Sequence, residues 1–192
     1  MILVIGLGNP GEKYEKTRHN IGWEVLDKFK NKNDFQSWEE DKKTKAMISK
    51  GMFDKKEVQL IKPLTFMNLS GEAIKNLINY YKIKPEEMIV VHDDMDIEFG
   101  KIKVSKKRGT AGHKGVLSII NMLKTKNFTR VRIGINPKNK KLISTEKFVL
   151  SSFNKKEEEK LEEITNKSIE AVETVIKEGP QKAMNIFNKK LE

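Results

Sequence analysis

Two short runs of unbroken apolar residues, Ile2 to Ile5 and Met88 to Val91, stand out from a chain that otherwise mixes charged and apolar positions finely. Such runs are the pattern of strands buried on both faces of a sheet. Arg130 to Ile135 instead alternates, with Val131, Ile133 and Ile135 opposite two arginines, and predicts a strand with one apolar face. Lys45 to Gly51 and Glu57 to Ile61 read as a strand pair joined by Phe53-Asp54-Lys55-Lys56. Ile97 to Val104 alternates around Gly100 as an edge strand or hairpin.

Between these stretches the period changes to that of a helix. Ile21, Val25, Leu26 and Phe29 fall on one face, and the polar Asn31 to Asp34 ends the segment. Leu69 to Lys82 places Ala73, Leu77 and Tyr81 beside Ile74 and Ile78, with Asn68 or Ser70 as the expected cap. Gly109 to Gly115 is a Gly-rich loop before a helix over Val116 to Leu123. The last long helix carries a stripe from Leu161 and Ile164 through Val172 to Ile176. Asn154 and Glu157 suit its start, and Gly179-Pro180 stops it before a short helix over Gln181 to Asn188. Strands and helices alternate from end to end with no repeat or linker, which predicts one α/β domain over residues 1–192.

Composition narrows the class. The chain has no Cys, which excludes a disulfide framework, a thiolate metal site and a cysteine nucleophile. Its net charge of +11 points to a polyanionic partner, in practice nucleic acid. Lysine is abundant throughout, however, even in the acidic C-terminal helix, so charge alone leaves a merely lysine-rich surface equally open. No apolar run approaches the roughly 20 residues of a membrane span, and the start of the chain lacks the sections of a signal peptide. A soluble, cytoplasmic protein is expected. No long apolar surface stripe demands a partner, so a monomer is expected.

The candidate chemistry centres on Gly6-Leu7-Gly8-Asn9-Pro10-Gly11, which follows the first strand and precedes His19-Asn20-Ile21-Gly22. The glycine spacing matches a dinucleotide-binding fingerprint. Against that reading, Pro10 removes a backbone N–H from a turn that should donate such groups. The following Glu12 to Lys16 is also too polar to open a helix packed on a sheet. The three histidines, His19, His92 and His113, all fall near a strand end or a helix start, and strand ends of an α/β sheet converge on one edge. His92 to Glu98 is rich in carboxylates but lacks the spacing of a calcium loop. A simpler role is that Asp93 holds a histidine ring in one tautomer. Lys101, Lys103, Lys106, Lys107 and Arg108, and Lys138, Lys140 and Lys141 after Arg130 and Arg132, either blunt sheet edges or bind phosphates.

These motifs, in order, closely resemble the bacterial peptidyl-tRNA hydrolase family. The resemblance rests on the loop from Gly6 to Gly11 with Tyr14 and Thr17 to Gly22, then Lys62 to Gly71, then His92 to Asp96. It continues through Gly109 to Gly115, Arg130 to Ile135, Glu170 to Glu173 and Ala183 to Asn185. It implies a twisted, mixed, largely parallel central sheet flanked by helices on both faces. It also implies hydrolysis of the ester between peptide and tRNA, without metal, cofactor or covalent intermediate, recycling tRNA from aborted translation. Carried over by position, His19 would be the general base on water and Asp93 its orienting carboxylate. Asn9 would distinguish peptidyl from free aminoacyl esters, with Asn68 beside it. Tyr14, Phe66, Met67, Asn68, His113 and Lys114 would meet the substrate, and Lys103, Lys106, Arg108, Arg130 or Arg132 the acceptor phosphates.

One position departs from the family pattern. Where His-Asn-Gly is common, this chain has His113-Lys114-Gly115. Lysine keeps a donor, loses the acceptor and adds charge. A non-catalytic RNA-binding protein on the same fold is the alternative, opposed by the presence of His19, Asp93, Asn9 and Asn68.

Overall fold

Strand β1 (Ile2–Gly6) sits at the centre of a seven-stranded sheet, paired in parallel with β4 (Lys56–Pro63) on one side and β5 (Met88–Glu98) on the other. The computed structural model describes residues 1–137 and 144–189. The sheet order is β2-β3-β4-β1-β5-β7-β6, with β2 (Glu39–Asp41), β3 (Ala46–Phe53), β6 (Ile102–Lys106) and β7 (Thr129–Asn136) outermost. β4, β1, β5 and β7 run parallel, while β2, β3 and β6 are antiparallel to their neighbours. The sheet is therefore mixed, with a parallel centre.

Alternation along β1 explains the layers. Val4 faces a core built with α1 (Ile21–Lys32) and α5 (Lys155–Glu178), whereas Leu3 and Ile5 face one built with α2 (Ser70–Tyr81) and α3 (Lys114–Leu123). Both faces are covered, as an all-apolar strand requires. The chain leaves β1 toward β4, then returns through α2 to β5 on the other side of β1. That reversal opens a crevice at the carboxyl ends of β1 and β5, the usual ligand position of such sheets.

The long helices form where their apolar stripes predict. Ile21, Val25, Leu26 and Phe29 are all buried, and Asn154 and Glu157 make a reciprocal capping box at the start of α5. The β3–β4 hairpin turns at Asp54-Lys55, both with φ > 0 as a type I′ turn demands. Other expectations need correction. Neither Asn68 nor Ser70 caps α2: a 3₁₀ turn, Met67–Leu69, leads into it, and the Ser70 hydroxyl donates to the Met67 carbonyl at 2.9 Å. Of the two readings of Ile97 to Val104, the edge strand holds, as β6 lies at the sheet edge. The hairpin does not: β5 continues through the polar residues to Glu98, and β7 lies between it and β6. β2 and the five-residue α4 (Thr145–Val149) are too short to show a period. Among the described residues no helix is long and apolar enough to cross a membrane.

Candidate active site

The loop after β1 is held down by close backbone contact. A Cβ at Gly22 would sit 2.6 Å from the carbonyl oxygens of Leu7 and Val91, so only glycine lets the first turn of α1 rest on the ends of β1 and β5. Asn20 then fixes the loop beyond it. Its Oδ1 accepts from the Asn9 N–H at 2.8 Å, and its Nδ2 donates to the Asn9 carbonyl at 3.0 Å. With that N–H occupied and Pro10 lacking one, the turn cannot cradle a pyrophosphate. No α-helix opens at Gly11, since a 3₁₀ turn, Glu12–Tyr14, follows and α1 begins only at Ile21. The dinucleotide reading has no support in this geometry.

The Asn9 side chain has a fixed orientation. Its Oδ1 accepts the Met67 N–H at 2.8 Å, which leaves the Nδ2 amide as a donor facing the cleft. Asn9 therefore turns a donor toward the cleft.

His19 lies in a 3₁₀ turn, Arg18–Asn20, just before α1. Its Nδ1 meets both oxygens of Asp93 at 2.9 Å. A carboxylate only accepts, so Nδ1 carries the proton and Nε2 is the basic nitrogen. Nε2 has no partner among the described residues and faces a cleft of about 790 Å³.

Asp93 is 1% exposed and holds a second histidine: His113 Nε2 lies 3.0 Å from Oδ1. The tautomer of His113 is set from its other side. Nδ1 accepts the N–H groups of Gly115 and Val116 at 3.1 and 3.3 Å, capping α3, so Nε2 is the protonated nitrogen. Burial by itself would raise the Asp93 pKa; His19 and His113 outweigh it and hold the carboxyl well below the usual carboxylate range. His92 lies behind, its ring 4.6 Å from that of His113. Burial first, then His113 and Arg130, push its pKa well below the ordinary value, so it stays neutral.

His19, Asp93 and His113 are also the one group among the described residues whose ligand atoms could converge on a metal, lying within 4.8 Å of one another. As arranged, both histidines give their protons to Asp93, and a metal would have to displace both.

The remaining expected residues divide. Tyr14, Phe66, Met67, Asn68 and Lys114 all line the cleft, with the Tyr14 and Phe66 rings edge to face at 6.4 Å. His113 lines it too, but both its nitrogens are engaged inside the protein, so it supports Asp93 instead of offering a ring nitrogen to substrate. Lys114 Nζ pairs with Glu146 at 2.9 Å, across from α3 to α4. Arg130 is 2% exposed and cannot grip a phosphate from the surface. Burial, then Arg132, push its pKa down to about 10. Arg132 Nε is committed to Asp94 at 2.8 Å. Lys103 and Arg108 are exposed and Lys106 half-buried along the sheet edge. Lys138, Lys140 and Lys141 lie outside the described residues. Two site residues, Asn20 and Arg18, carry no role in the sequence analysis. The signal available in the sequence was only that polar residues flank His19 on both sides; the structure buries both.

Known proteins agree with this architecture. The model of the family described as peptidyl-tRNA hydrolase matches residues 3–192. The chain is similar to the peptidyl-tRNA hydrolase of Thermodesulfovibrio yellowstonii, 42% identical over 199 residues that cover 98% of this chain and 100% of that one. It is 41% identical to that of Clostridium acetobutylicum over 189 residues, 98% of each chain. Among solved structures, the peptidyl-tRNA hydrolase of Acinetobacter baumannii superposes with a TM-score of 0.89 at 29% identity, covering 98% of this chain and 94% of that one. The matched span takes in the loop after β1, the His19 turn and the Asp93 strand together, and on that agreement the chain belongs to the peptidyl-tRNA hydrolase family.

Proposed function

We propose that this chain cleaves the ester joining a peptide to the terminal ribose of tRNA, with His19 as general base, and so returns tRNA from unfinished translation. The observation that carries the reading is the bond from His19 Nδ1 to Asp93, which leaves Nε2 open to the cleft. Nε2 takes a proton from water as the water oxygen attacks the ester carbonyl. The C–O bond to the ribose then breaks, and the proton passes to the departing ribose oxygen. Asp93, already ionised and desolvated, stabilises the imidazolium between these steps.

Asn9 Nδ2 is held by the Met67 contact and supplies a donor to a carbonyl oxygen of the bound peptide or to the developing oxyanion. The NH₂ donor turned to the cleft offers nothing to a free ammonium, which also only donates. That is a physical basis for preferring blocked substrates. Phe66, Tyr14 and Asn68 meet the peptide and acceptor end, while Lys103, Lys106 and Arg108 meet acceptor phosphates through a salt-dependent, sequence-independent attraction.

The test is hydrolysis of an N-acetyl-aminoacyl-tRNA beside the same tRNA with a free amino group. Cleavage of the blocked ester alone, lost in His19→Ala while tRNA binding persists, is the expected result. Binding without cleavage of either ester by the unaltered protein would favour the RNA-binding alternative, and full turnover by His19→Ala would remove His19 as the base.

A further inference from the structure

Arg18, next to His19 in sequence, turns away from the cleft and is buried. Its Nη1 donates to the Ser151 carbonyl at 3.0 Å, the Ser151 hydroxyl at 2.7 Å and the Ser152 carbonyl at 2.5 Å. Nη2 meets Glu157 Oε2 at 2.5 Å. The guanidinium lies over the rings of Phe148 and Phe153, at 4.2 and 5.0 Å. The backbone repeats the attachment: Arg18 N–H donates to the Ser151 carbonyl at 3.1 Å, and Thr17 forms an antiparallel bridge with Ser152. Phe148 belongs to α4, Ser151, Ser152 and Phe153 to the segment after it, and Glu157 to the first turn of α5. Thr145, Glu146, Val149 and Leu150, of α4 and that segment, form one wall of the cleft.

We infer that Arg18 is a positioning residue that docks the α4 wall of the cleft against the turn carrying His19, holding base and wall at one spacing. The inference rests on the reading of the cleft as an ester-hydrolase site. A planar, five-donor fork suits the place: one edge reaches acceptors on two successive residues, another reaches a carboxylate, and the ring faces cover the cation. A lysine could keep the charge toward Glu157 but not the set of bonds. Burial lowers the Arg18 pKa, and Glu157 opposes that shift, so the cation is held by its partner and not by water. α4 is only five residues long and could not keep its place on helical stability alone.

Two variants test this, Arg18→Lys and the milder Ser151→Ala, which deletes one acceptor and remains informative if Arg18→Lys does not fold. The readouts are steady-state hydrolysis of N-acetyl-aminoacyl-tRNA and amide hydrogen exchange. For Arg18→Lys we expect KM to rise about tenfold with kcat within about twofold, since the base keeps its carboxylate while the wall loses its spacing. Exchange across residues 145–152 should quicken at least about tenfold while β1 and β5 stay protected. Ser151→Ala should move both readouts the same way by less. Unchanged exchange at 145–152 in a folded variant overturns the inference, as does a loss confined to kcat. If the unaltered protein cleaves no such ester, the reading of the site fails, yet the exchange measurement still decides whether Arg18 holds the wall.

Discussion

His113 donates to the same oxygen of Asp93 that His19 engages: Nε2 of one ring and Nδ1 of the other lie 3.0 and 2.9 Å from Oδ1. The carboxylate is thus anchored from the α3 side by a histidine whose tautomer the helix N-terminus sets. In Asp93→Asn an oxygen at the Oδ1 position can still accept from both rings. An NH₂ donor then faces the His19 N–H in place of Oδ2, however, and a neutral amide cannot stabilise an imidazolium. Turnover should fall by about 10³–10⁴-fold, as with the equivalent change in a hydrolase triad. His113→Ala should cost less, about 10–100-fold, the usual scale for a group that orients another. Single-turnover rates at saturating enzyme measure both, and a wild-type rate for Asp93→Asn would exclude it from the reaction.

The depressed Asp93 pKa has a consequence for stability. A carboxyl whose folded pKa lies below its unfolded value, about 3.9, stabilises the fold above that pH and loses the contribution as pH falls toward the folded pKa. The Tm gap between the unaltered protein and Asp93→Asn should therefore be widest near neutrality and narrow below about pH 4. Thermal melts across that range decide it; a gap that does not change with pH contradicts the ionised, doubly bonded carboxylate.

Asn9→Asp isolates the donor argument. The substitution keeps an oxygen for the Met67 N–H but replaces the cleft-facing NH₂ with a second, negatively charged oxygen. Cleavage of the blocked ester should drop about tenfold or more, and the ratio of kcat/KM between blocked and free-amino substrates should narrow, because the site now accepts from an ammonium. A preserved ratio would place the discrimination elsewhere.

The basic residues separate by burial. Charge reversal at Lys106 and Lys107 should weaken tRNA binding and reduce the slope of log K against log salt by about one for each phosphate no longer neutralised. Arg130→Met should leave that slope untouched, because the guanidinium is enclosed and its terminal nitrogens have no partner among the described residues. Its stability should stay within about 1 kcal/mol of the unaltered protein or exceed it, since a buried, unpaired cation costs solvation without a compensating bond. Salt titrations and melts of both variants test the division.

Much of this molecule is legible along the chain because the determinants are local. A strand covered on both sides must be apolar throughout, as Ile2 to Ile5 is, and an amphipathic helix must repeat its apolar face, as α1 and α5 do. Turn and cap chemistry acts over four residues, so Asn154 with Glu157 marks the start of α5. The loop at Asn9, His19 and the carboxylates after Val91 are recognisable as candidate site residues from their type and their place at strand ends.

Pairing is a different matter. His19 and Asp93 are 74 residues apart, and only the sheet order β1-β5 brings them together. No period reports that β7 separates β5 from β6, that α3 directs its capping histidine onto Asp93, or that Arg130 lies enclosed while Lys103 is exposed. The sequence by itself determined which segments become strands and helices and which residue types stand at their ends, through short-range sterics and apolar period. The tertiary structure alone decided which ends meet, hence which nitrogen is free, which donor faces the cleft and which cations reach solvent. Those are long-range contacts, set by packing energy summed over the whole sheet and both of its faces.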